Sequence, residues 1–261
     1  MTPTCPSATT SAWCVPPWRR FHKTTPWWRA DVIGDITMKL FCYFTPTHKS
    51  MFDRFLKKSC DLFGEHEIVA RMDNDQLSAD GSFYSKGFHE TVVKKMDFII
   101  GSNSWDDSQY CIFSDADVIF TAPTQDYLLE NVANHDIVFQ SDQTTHNSGF
   151  YVFRNNAKVK AMFEEAVRVK DQHFGDQLCI NAALQKVQLK HKAFDKNIFN
   201  ISFYTRGEVW DNQSTIHFPK HMRVYHANFI VGVENKEKAL QTAHDRFIAP
   251  KFPNAPVPVL S

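Results

Sequence analysis

The 261-residue sequence lacks the short motifs that identify several common classes of enzyme. It has only nine glycines and contains neither Gly-x-Gly-x-x-Gly nor Gly-x-x-x-x-Gly-Lys, so neither a dinucleotide fold for hydride transfer nor a P-loop is indicated. His-Glu-x-x-His and Gly-x-Ser-x-Gly are also missing, which removes the commonest hydrolase signatures. A bound phosphate would therefore have to be held by a metal and by side chains.

The sequence also has no excess of one charge and no long apolar run. Its 29 basic residues balance 29 acidic ones, which argues against a nucleic-acid partner and favours a small molecule or a neutral polymer. No stretch of 18 apolar residues is present, and the N-terminus lacks the apolar core of a secretory signal. We therefore predict a cytoplasmic protein without a membrane span. The six cysteines form no Cys-x-x-Cys pair and are typical of buried, reduced thiols.

The apolar pattern that is present predicts alternating strands and helices. Apolar runs of strand length at 38–44, 67–72 and 110–114 are separated by segments with helical spacing at 48–63 and 83–100. Strand, helix, strand, helix, strand is the order of a doubly wound, largely parallel sheet. The predicted fold class is therefore α/β.

The same pattern continues through the second half of the chain. The polar segment 141–148 is predicted to be a loop, and 189–222 to be irregular. The remaining predicted elements are strands at 118–121, 136–140, 149–154 and 223–226 and helices at 124–133, 157–169, 175–186 and 234–247.

Composition divides the chain into three parts. Residues 1–37 are rich in Thr, Pro and Trp and show neither helical nor strand periodicity, so we predict a disordered or loosely attached extension. Residues 38–247 carry all the periodic segments and form the predicted domain. Residues 248–261 are predicted to be a Pro-rich tail.

Two carboxylates interrupt one of the apolar runs. Asp115 and Asp117 follow the strand predicted at 110–114, and the apolar run resumes directly after them. Open α/β sheets bind ligands at the carboxyl ends of their strands, and paired carboxylates there suit Mn²⁺ or Mg²⁺ with substrate phosphates completing the coordination. The alternative is a solvated turn, in which Asp is common, but the apolar residues on both sides favour the metal site.

Three further motifs, in order after the two aspartates, carry a family resemblance. They are Asn147-Ser-Gly-Phe-Tyr-Val-Phe-Arg154, Gly175-Asp-Gln-Leu-Cys-Ile-Asn181 and Val224-Tyr-His-Ala-Asn-Phe-Ile-Val-Gly-Val-Glu-Asn-Lys236. Together they resemble the nucleotide-diphospho-sugar transferase family of glycosyltransferases, whose retaining members include glycogenin and the bacterial lipopolysaccharide galactosyltransferases. The resemblance implies a GT-A fold, in which one mostly parallel sheet flanked by helices has a Rossmann-like nucleotide-sugar half and an acceptor half.

The resemblance also implies roles for individual residues and the partners they bind. The implied donor is a nucleotide-diphosphate sugar, most simply a UDP-sugar, and the implied acceptor is a glycan or glycoprotein. Asp115, Asp117 and His226 are the implied metal ligands, with the two aspartates also contacting the nucleotide. The other implied positions are Lys236, Gly232 and Asn228 for the donor and its diphosphate, and Asn147, Asp176 and Gln177 for the sugar pocket and catalysis.

Two other interpretations compete with this one. A phosphatase of the haloacid-dehalogenase type also places Asp-x-Asp after an apolar strand, with the first Asp as nucleophile. That motif usually lies in the first strand of its fold, however, and Ile180 occupies the place where a second metal-binding carboxylate would be expected. The other alternative is a protein of the glycosyltransferase fold that binds sugar nucleotides without turnover.

The stereochemistry of the implied transfer depends on whether a general base is present. An inverting enzyme needs one, usually a carboxylate, to take the proton of the acceptor. The pair Asp176-Gln177 resembles the retaining pattern, and an amide cannot act as a base near neutral pH, so retention is predicted. Asp142, Asp176 and Asp211 remain the alternative candidates for a base.

Overall fold

The computed structural model describes residues 38–63, 66–78, 86–105, 110–142, 144–202 and 216–253. The strands among them are β1 (Met38–Phe44), β2 (His66–Met72), β3 (Tyr110–Ser114), β4 (Val118–Phe120), β5 (Ile137–Asp142), β6 (Thr145–Arg154), β7 (His191–Ala193), β8 (Phe199–Ile201) and β9 (Val224–His226). The helices are α1 (Lys49–Met51), α2 (Lys58–Phe63), α3 (Phe88–Ser102), α4 (Gln125–Val132), α5 (Ala157–Arg168), α6 (Gly175–Lys186) and α7 (Val233–Phe247). A π-helical turn at Phe52–Lys57 joins α1 to α2.

Six strands form the main sheet in the order β2-β1-β3-β6-β5-β7. The pairs β1-β2, β1-β3 and β5-β7 are parallel, and only β6 runs against its two neighbours. Parallel sheets need helices on both faces, because their strands are apolar on both sides. The predicted α/β class with a mostly parallel sheet is confirmed.

Alternating side chains of β1 show how the two faces of this sheet are covered. Phe41 and Tyr43 pack in one cluster with α3, α5 and α6. Leu40 and Cys42 point to the other side, where they pack with α2 and α4. The helices thus cover both faces and leave the carboxyl ends of β1 and β3 for a ligand.

A second sheet has three strands in the order β4-β9-β8. Its first strand, β4, follows β3 closely in the sequence. Here β4 pairs antiparallel with β9, and β8 pairs parallel with it. Its buried residues Ile119 and Tyr225 pack against Phe55 of the π-helical turn and Leu240 of α7. This packing holds the start of α7 close to the carboxyl end of β3.

The structure corrects two of the predicted loops. Strands β5 and β6 continue as a hairpin through most of 141–148, and Asn147 pairs with Gln140 rather than lying in a loop. Strands β7 and β8 lie within 189–222, which was predicted to be irregular. The hairpin was missed because its residues are polar, and the two strands because three residues are too few to show a period.

Both chain ends reach beyond the described residues. Residues 1–37 and 254–261 lie outside them, so the predicted extension and most of the predicted tail stay predictions. The first residues of that tail pack on the domain, because Ile248 is buried and Phe252 contacts the same cluster. Among the helices that the structure describes, none has both the length and the apolar character needed to cross a bilayer.

A buried carboxylate ties the ends of β1 and β2 to α3. The Asp73 side chain accepts hydrogen bonds from the hydroxyl of Tyr43 and, at 2.8 Å, from Nζ of Lys94. Its backbone N–H donates to the carbonyl oxygen of Phe44 at 2.8 Å. Burial alone would raise the pKa of Asp73, but the hydrogen bonds from Lys94 and Tyr43 outweigh burial and lower it from 3.8 to about 2.

We expect Asp73→Asn to lower the free energy of unfolding by roughly 1–2 kcal/mol at pH 7. Because the folded-state pKa is depressed, this stabilisation is present above about pH 4 and is lost as the pH falls toward about 2. Urea unfolding between pH 7 and about pH 2 measures it, and the two proteins should converge in stability at the acid end. Asp75→Asn is the control, since this exposed carboxylate lies 3.8 Å from Lys94 and contributes little. An equal effect of both substitutions at all pH values would contradict the assignment.

Candidate active site

Strand pairing brings Asp115, Asp117 and His226 together. Asp115 follows β3, Asp117 precedes β4, and His226 ends β9, where it lies opposite Val118 in the β4-β9 register. The backbone N–H of Ala227 donates to the carbonyl oxygen of Asp117 at 2.9 Å, which extends this pairing by one residue. One ligand atom from each of the three side chains lies within 4.8 Å of the others. The three side chains form what we call the acidic-histidine cluster.

Gly149 of β6 leaves the space that this cluster occupies. Its carbonyl oxygen accepts a 2.7 Å hydrogen bond from the backbone N–H of Asp115, so the two backbones are in direct contact. A Cβ atom at position 149 would lie 2.2 Å from Cε1 of His226 and 2.7 Å from Oδ2 of Asp115. The His226 ring and the Asp115 carboxylate can lie this close to β6 only because residue 149 is glycine. Two carboxylates and an imidazole are a donor set that fits a divalent cation.

The orientation of the His226 ring follows from its hydrogen bonds. Nδ1 lies 3.0 Å from Oε1 of Gln140, whose Nε2 donates to the carbonyl oxygen of Asn200 at 2.8 Å. Because that amide nitrogen is already donating, the oxygen faces the ring and Nδ1 carries the proton. Nε2 therefore presents its lone pair to the cluster, 3.3 Å from Oδ1 of Asp117. This is the tautomer that a metal ligand requires, with the other ring nitrogen fixed by a hydrogen bond.

Two lysines offset the negative charge of the cavity. Nζ of Lys236, from the first turns of α7, lies 2.6 Å from Oδ2 of Asp117. The buried Nζ of Lys95, from α3, lies 3.0 Å from Asp115 and 2.6 Å from Asp176. Burial alone would raise the pKa of Asp117, but the charge of Lys236 outweighs burial and holds the pKa well below its ordinary value. Asp117 therefore stays charged although it is buried, whereas burial raises the pKa of Asp115 despite the nearby charge of Lys95.

A chain of side-chain hydrogen bonds continues from the cluster along the cavity wall. The N–H of Gly149 donates to Oδ1 of Asn147 at 2.8 Å, and Nδ2 of Asn147 donates to Oε1 of Gln177 at 3.2 Å. Nε2 of Gln177 then donates to Oδ2 of Asp142 at 2.6 Å. We call this series the amide chain. It connects the metal-ligand candidates with the first turn of α6.

All nine residues that the sequence resemblance singled out line one cavity of about 500 Å³. Gly232 has a φ of +86°, a conformation that favours glycine, and turns the chain into α7 so that Lys236 faces Asp117. Asn228 accepts a hydrogen bond from the N–H of Ser202 at 3.2 Å. The remaining members are Asp115, Asp117, Asn147, Asp176, Gln177 and His226.

Lys95 and His48 are among the lining residues that the sequence analysis did not single out. Lys95 was assigned only to a helix, although it interrupts the apolar stripe of Val92, Met96 and Ile99, and such a position is itself a signal of burial. His48 also lines the cavity, and its Nδ1 lies 3.0 Å from the hydroxyl of Thr47. Burial and the nearby charge of Lys236 lower the pKa of His48 to about 4, so the ring is neutral at physiological pH. No spacing in the sequence indicated His48.

Comparison with protein families decides what this arrangement belongs to. A profile of the nucleotide-diphospho-sugar transferase family matches residues 51–240, well over half of the chain. The chain belongs to this family. The match includes both aspartates, His226 and Lys236, and the protein is a glycosyltransferase. The phosphatase interpretation of the two aspartates is therefore dropped.

Several solved structures are similar to this nucleotide-diphospho-sugar transferase, and the first of them shares its fold. A glycosyltransferase involved in glycosylation of the major capsid of PBCV-1 is 11% identical, with a TM-score of 0.53 over 77% of this chain and 99% of that one. The galactosyltransferase LgtC, solved with donor and acceptor sugar analogues, is 9% identical, with a TM-score of 0.48 over 78% and 96%. Mouse xyloside xylosyltransferase 1 is 10% identical, with a TM-score of 0.44 over 74% and 98%. A search of curated proteins found no match.

We expect Gly149→Ala to lower the free energy of unfolding by about 1–3 kcal/mol, because the new methyl group overlaps His226 and Asp115. Urea unfolding measures the change, and chemical shifts of the His226 ring report the displacement directly. Gly101→Ala is the matched control, since nothing lies within 4 Å of its Cβ position in α3. Alanine should stabilise that helix slightly. Equal stability of the two variants would contradict the close packing at Gly149.

Proposed function

We propose that this glycosyltransferase moves a sugar from a UDP-sugar to a glycan or protein-linked acceptor, with a divalent metal and with retention of configuration. The observation that carries the proposal is the acidic-histidine cluster at a cavity that Lys236 also enters. Asp115, Asp117 and His226 would hold Mn²⁺ or Mg²⁺, and the space that Gly149 leaves for the Asp115 and His226 side chains supports this assignment. When bound, the cation supplies positive charge that stabilises the leaving diphosphate.

The side chains around the cluster suit the binding of a diphosphate. The Lys236 side chain is only 20% exposed, and its Nζ lies 2.6 Å from Oδ2 of Asp117. Its charge is therefore held next to the proposed metal ligands. We assign it to the donor diphosphate, where a positive charge favours departure of the nucleotide. Asn228 and Gly232 belong to the loop that carries Lys236 into the cavity, and we assign them to the same half of the donor.

The groups around the sugar pocket favour retention. An inverting transfer needs a carboxylate available to accept a proton, but Asp176 is paired with Lys95 at 2.6 Å and Asp142 accepts from Gln177 at 2.6 Å. Asp211, the third candidate base, lies outside the described residues. We therefore assign Gln177 and Asn147 to the reacting side of the sugar, and Asp176 to orienting its hydroxyls.

The donor and the metal are tested by measuring nucleotide diphosphate released from a panel of UDP- and GDP-sugars with manganese. We expect release from UDP-sugars, prevented by EDTA and restored by added manganese or magnesium. Asp117→Ala should lower release by at least about a hundredfold, because the metal and Lys236 both lose their partner. Asp126→Ala, at an exposed position of α4 outside the cavity, is the control. Full activity of Asp117→Ala in EDTA would overturn the metal assignment.

Retention is tested by proton NMR of the first-formed product. The anomeric proton should show the same configuration as the donor sugar, because the amide of Gln177 offers no base for an inverting attack. The acceptor must be one that forms a glycoside, because a glycoside does not mutarotate, whereas a free sugar released by hydrolysis does. A product of opposite configuration would contradict retention and would direct the search for a base to Asp142, Asp176 and Asp211.

A further inference from the structure

Asp142 has no part in the proposed function, yet it is buried and lines the cavity. It ends β5 and is 8% exposed. Its Oδ2 accepts the 2.6 Å hydrogen bond from Nε2 of Gln177 that ends the amide chain. Of the three hydrogen bonds in the amide chain, this one is the shortest. Charge-assisted hydrogen bonds are both shorter and stronger than neutral ones. The contact raises the question of what a carboxylate does for the amide of Gln177.

The two ends of the amide chain allow only one orientation of the amides between them. At one end, the backbone N–H of Gly149 can only donate, so Asn147 must turn its oxygen toward it. The nitrogen of Asn147 then faces Gln177 and requires an oxygen there. At the other end, the carboxylate of Asp142 can only accept, which requires the nitrogen of Gln177. Donor and acceptor requirements agree at every step.

This orientation places the two ends of the Gln177 amide in different surroundings. Its oxygen lies beside Asn147, which is bonded to Gly149 and so adjoins the acidic-histidine cluster. Its nitrogen lies beside Asp142 and is 3.5 Å from the hydroxyl of Thr145, at the β5-β6 hairpin. The partial negative charge of the amide thus faces Asn147, which links it to the acidic-histidine cluster through Gly149, and the partial positive charge faces Asp142.

We propose that Asp142 is a positioning residue, which holds the Gln177 amide with its oxygen toward the reacting sugar. The inference rests on the proposed function, in which Gln177 lies beside the anomeric carbon. As the donor bond breaks, positive charge develops on the sugar, and an oriented carbonyl oxygen stabilises it. A reversed amide would present its NH₂ group to the same charge and oppose the reaction. Without Asp142, one of the two constraints that fix the amide is lost.

Turnover measurements test this role through a pair of substitutions at position 142. Asp142→Ala removes the acceptor, and we expect it to lower kcat about tenfold while the KM for the donor stays within about twofold. Asp142→Asn keeps an acceptor oxygen of the same size, so it should recover kcat to within about threefold of wild type. The pH profile of kcat should keep its shape in both variants. The proposal would be overturned if Asp142→Asn lost as much activity as Asp142→Ala and the pH profile of kcat lost one limb. That result would show that Asp142 is a base.

A double-mutant cycle shows whether Asp142 acts through Gln177. In the Gln177→Ala background, Asp142→Ala should change kcat by less than about twofold, because the amide that it orients is no longer present. Multiplied losses in the double variant would show an independent role and overturn the proposal.

A measurement without turnover separates this proposal from the proposed function. The side-chain NH₂ signals of Gln177, identified by their absence in Gln177→Ala, should show slow hydrogen exchange in the wild type. They should exchange faster in Asp142→Ala than in Asp142→Asn. Unchanged exchange in Asp142→Ala would overturn the positioning role even if sugar transfer is observed. Slowed exchange in a wild type that transfers no sugar from any donor would support the orientation while the proposed function failed.

Discussion

The site depends on the balance between three carboxylates and two lysines in one largely buried cavity. Asp115, Asp117 and Asp176 would repel one another if they were left unpaired, and burial would penalise each of their charges. Lys95 bridges two of them, and Lys236 pairs with the third. These lysines come from α3 and α7, which pack on different sheets. The packing of both helices is therefore a condition for the anionic cavity to exist.

Much of the site could be predicted because its residues lie at the ends of strands or in the first turns of helices. Asp115 and Asp117 interrupt an apolar run, and His226 belongs to a motif that repeats a family spacing. Asn147 was placed in a loop because the polar residues around it show no alternation, yet backbone pairing with Gln140 makes it part of β6. Hydrogen-bonded ladders need no apolar side chains, so periodicity cannot detect a polar hairpin.

Lys95 was missed because its neighbours are apolar, whereas Asn147 was misplaced because its neighbours are polar. Its position falls on the apolar stripe of α3, and a lysine there is ordinarily assumed to extend its charge to solvent. In the folded chain its ammonium group is 2.6 Å from Asp176, which lies about eighty positions away in the sequence. A contact of that separation leaves no trace in local periodicity. The fold class was recoverable from periodicity, whereas the charge pairing inside the cavity depends on tertiary structure.

Gly149 joins the two halves of the site at a single backbone position. Its carbonyl oxygen accepts from Asp115, its N–H donates to Asn147, and its missing side chain leaves room for the ring of His226. Orientation of the amide chain therefore starts from the same residue that makes space for two of the candidate metal ligands. A shift of β6 at this point would disturb the acidic-histidine cluster and the amide chain together, because Gly149 contacts both. The acidic-histidine cluster and the amide of Gln177 are thus coupled through one backbone position rather than being separate subsites.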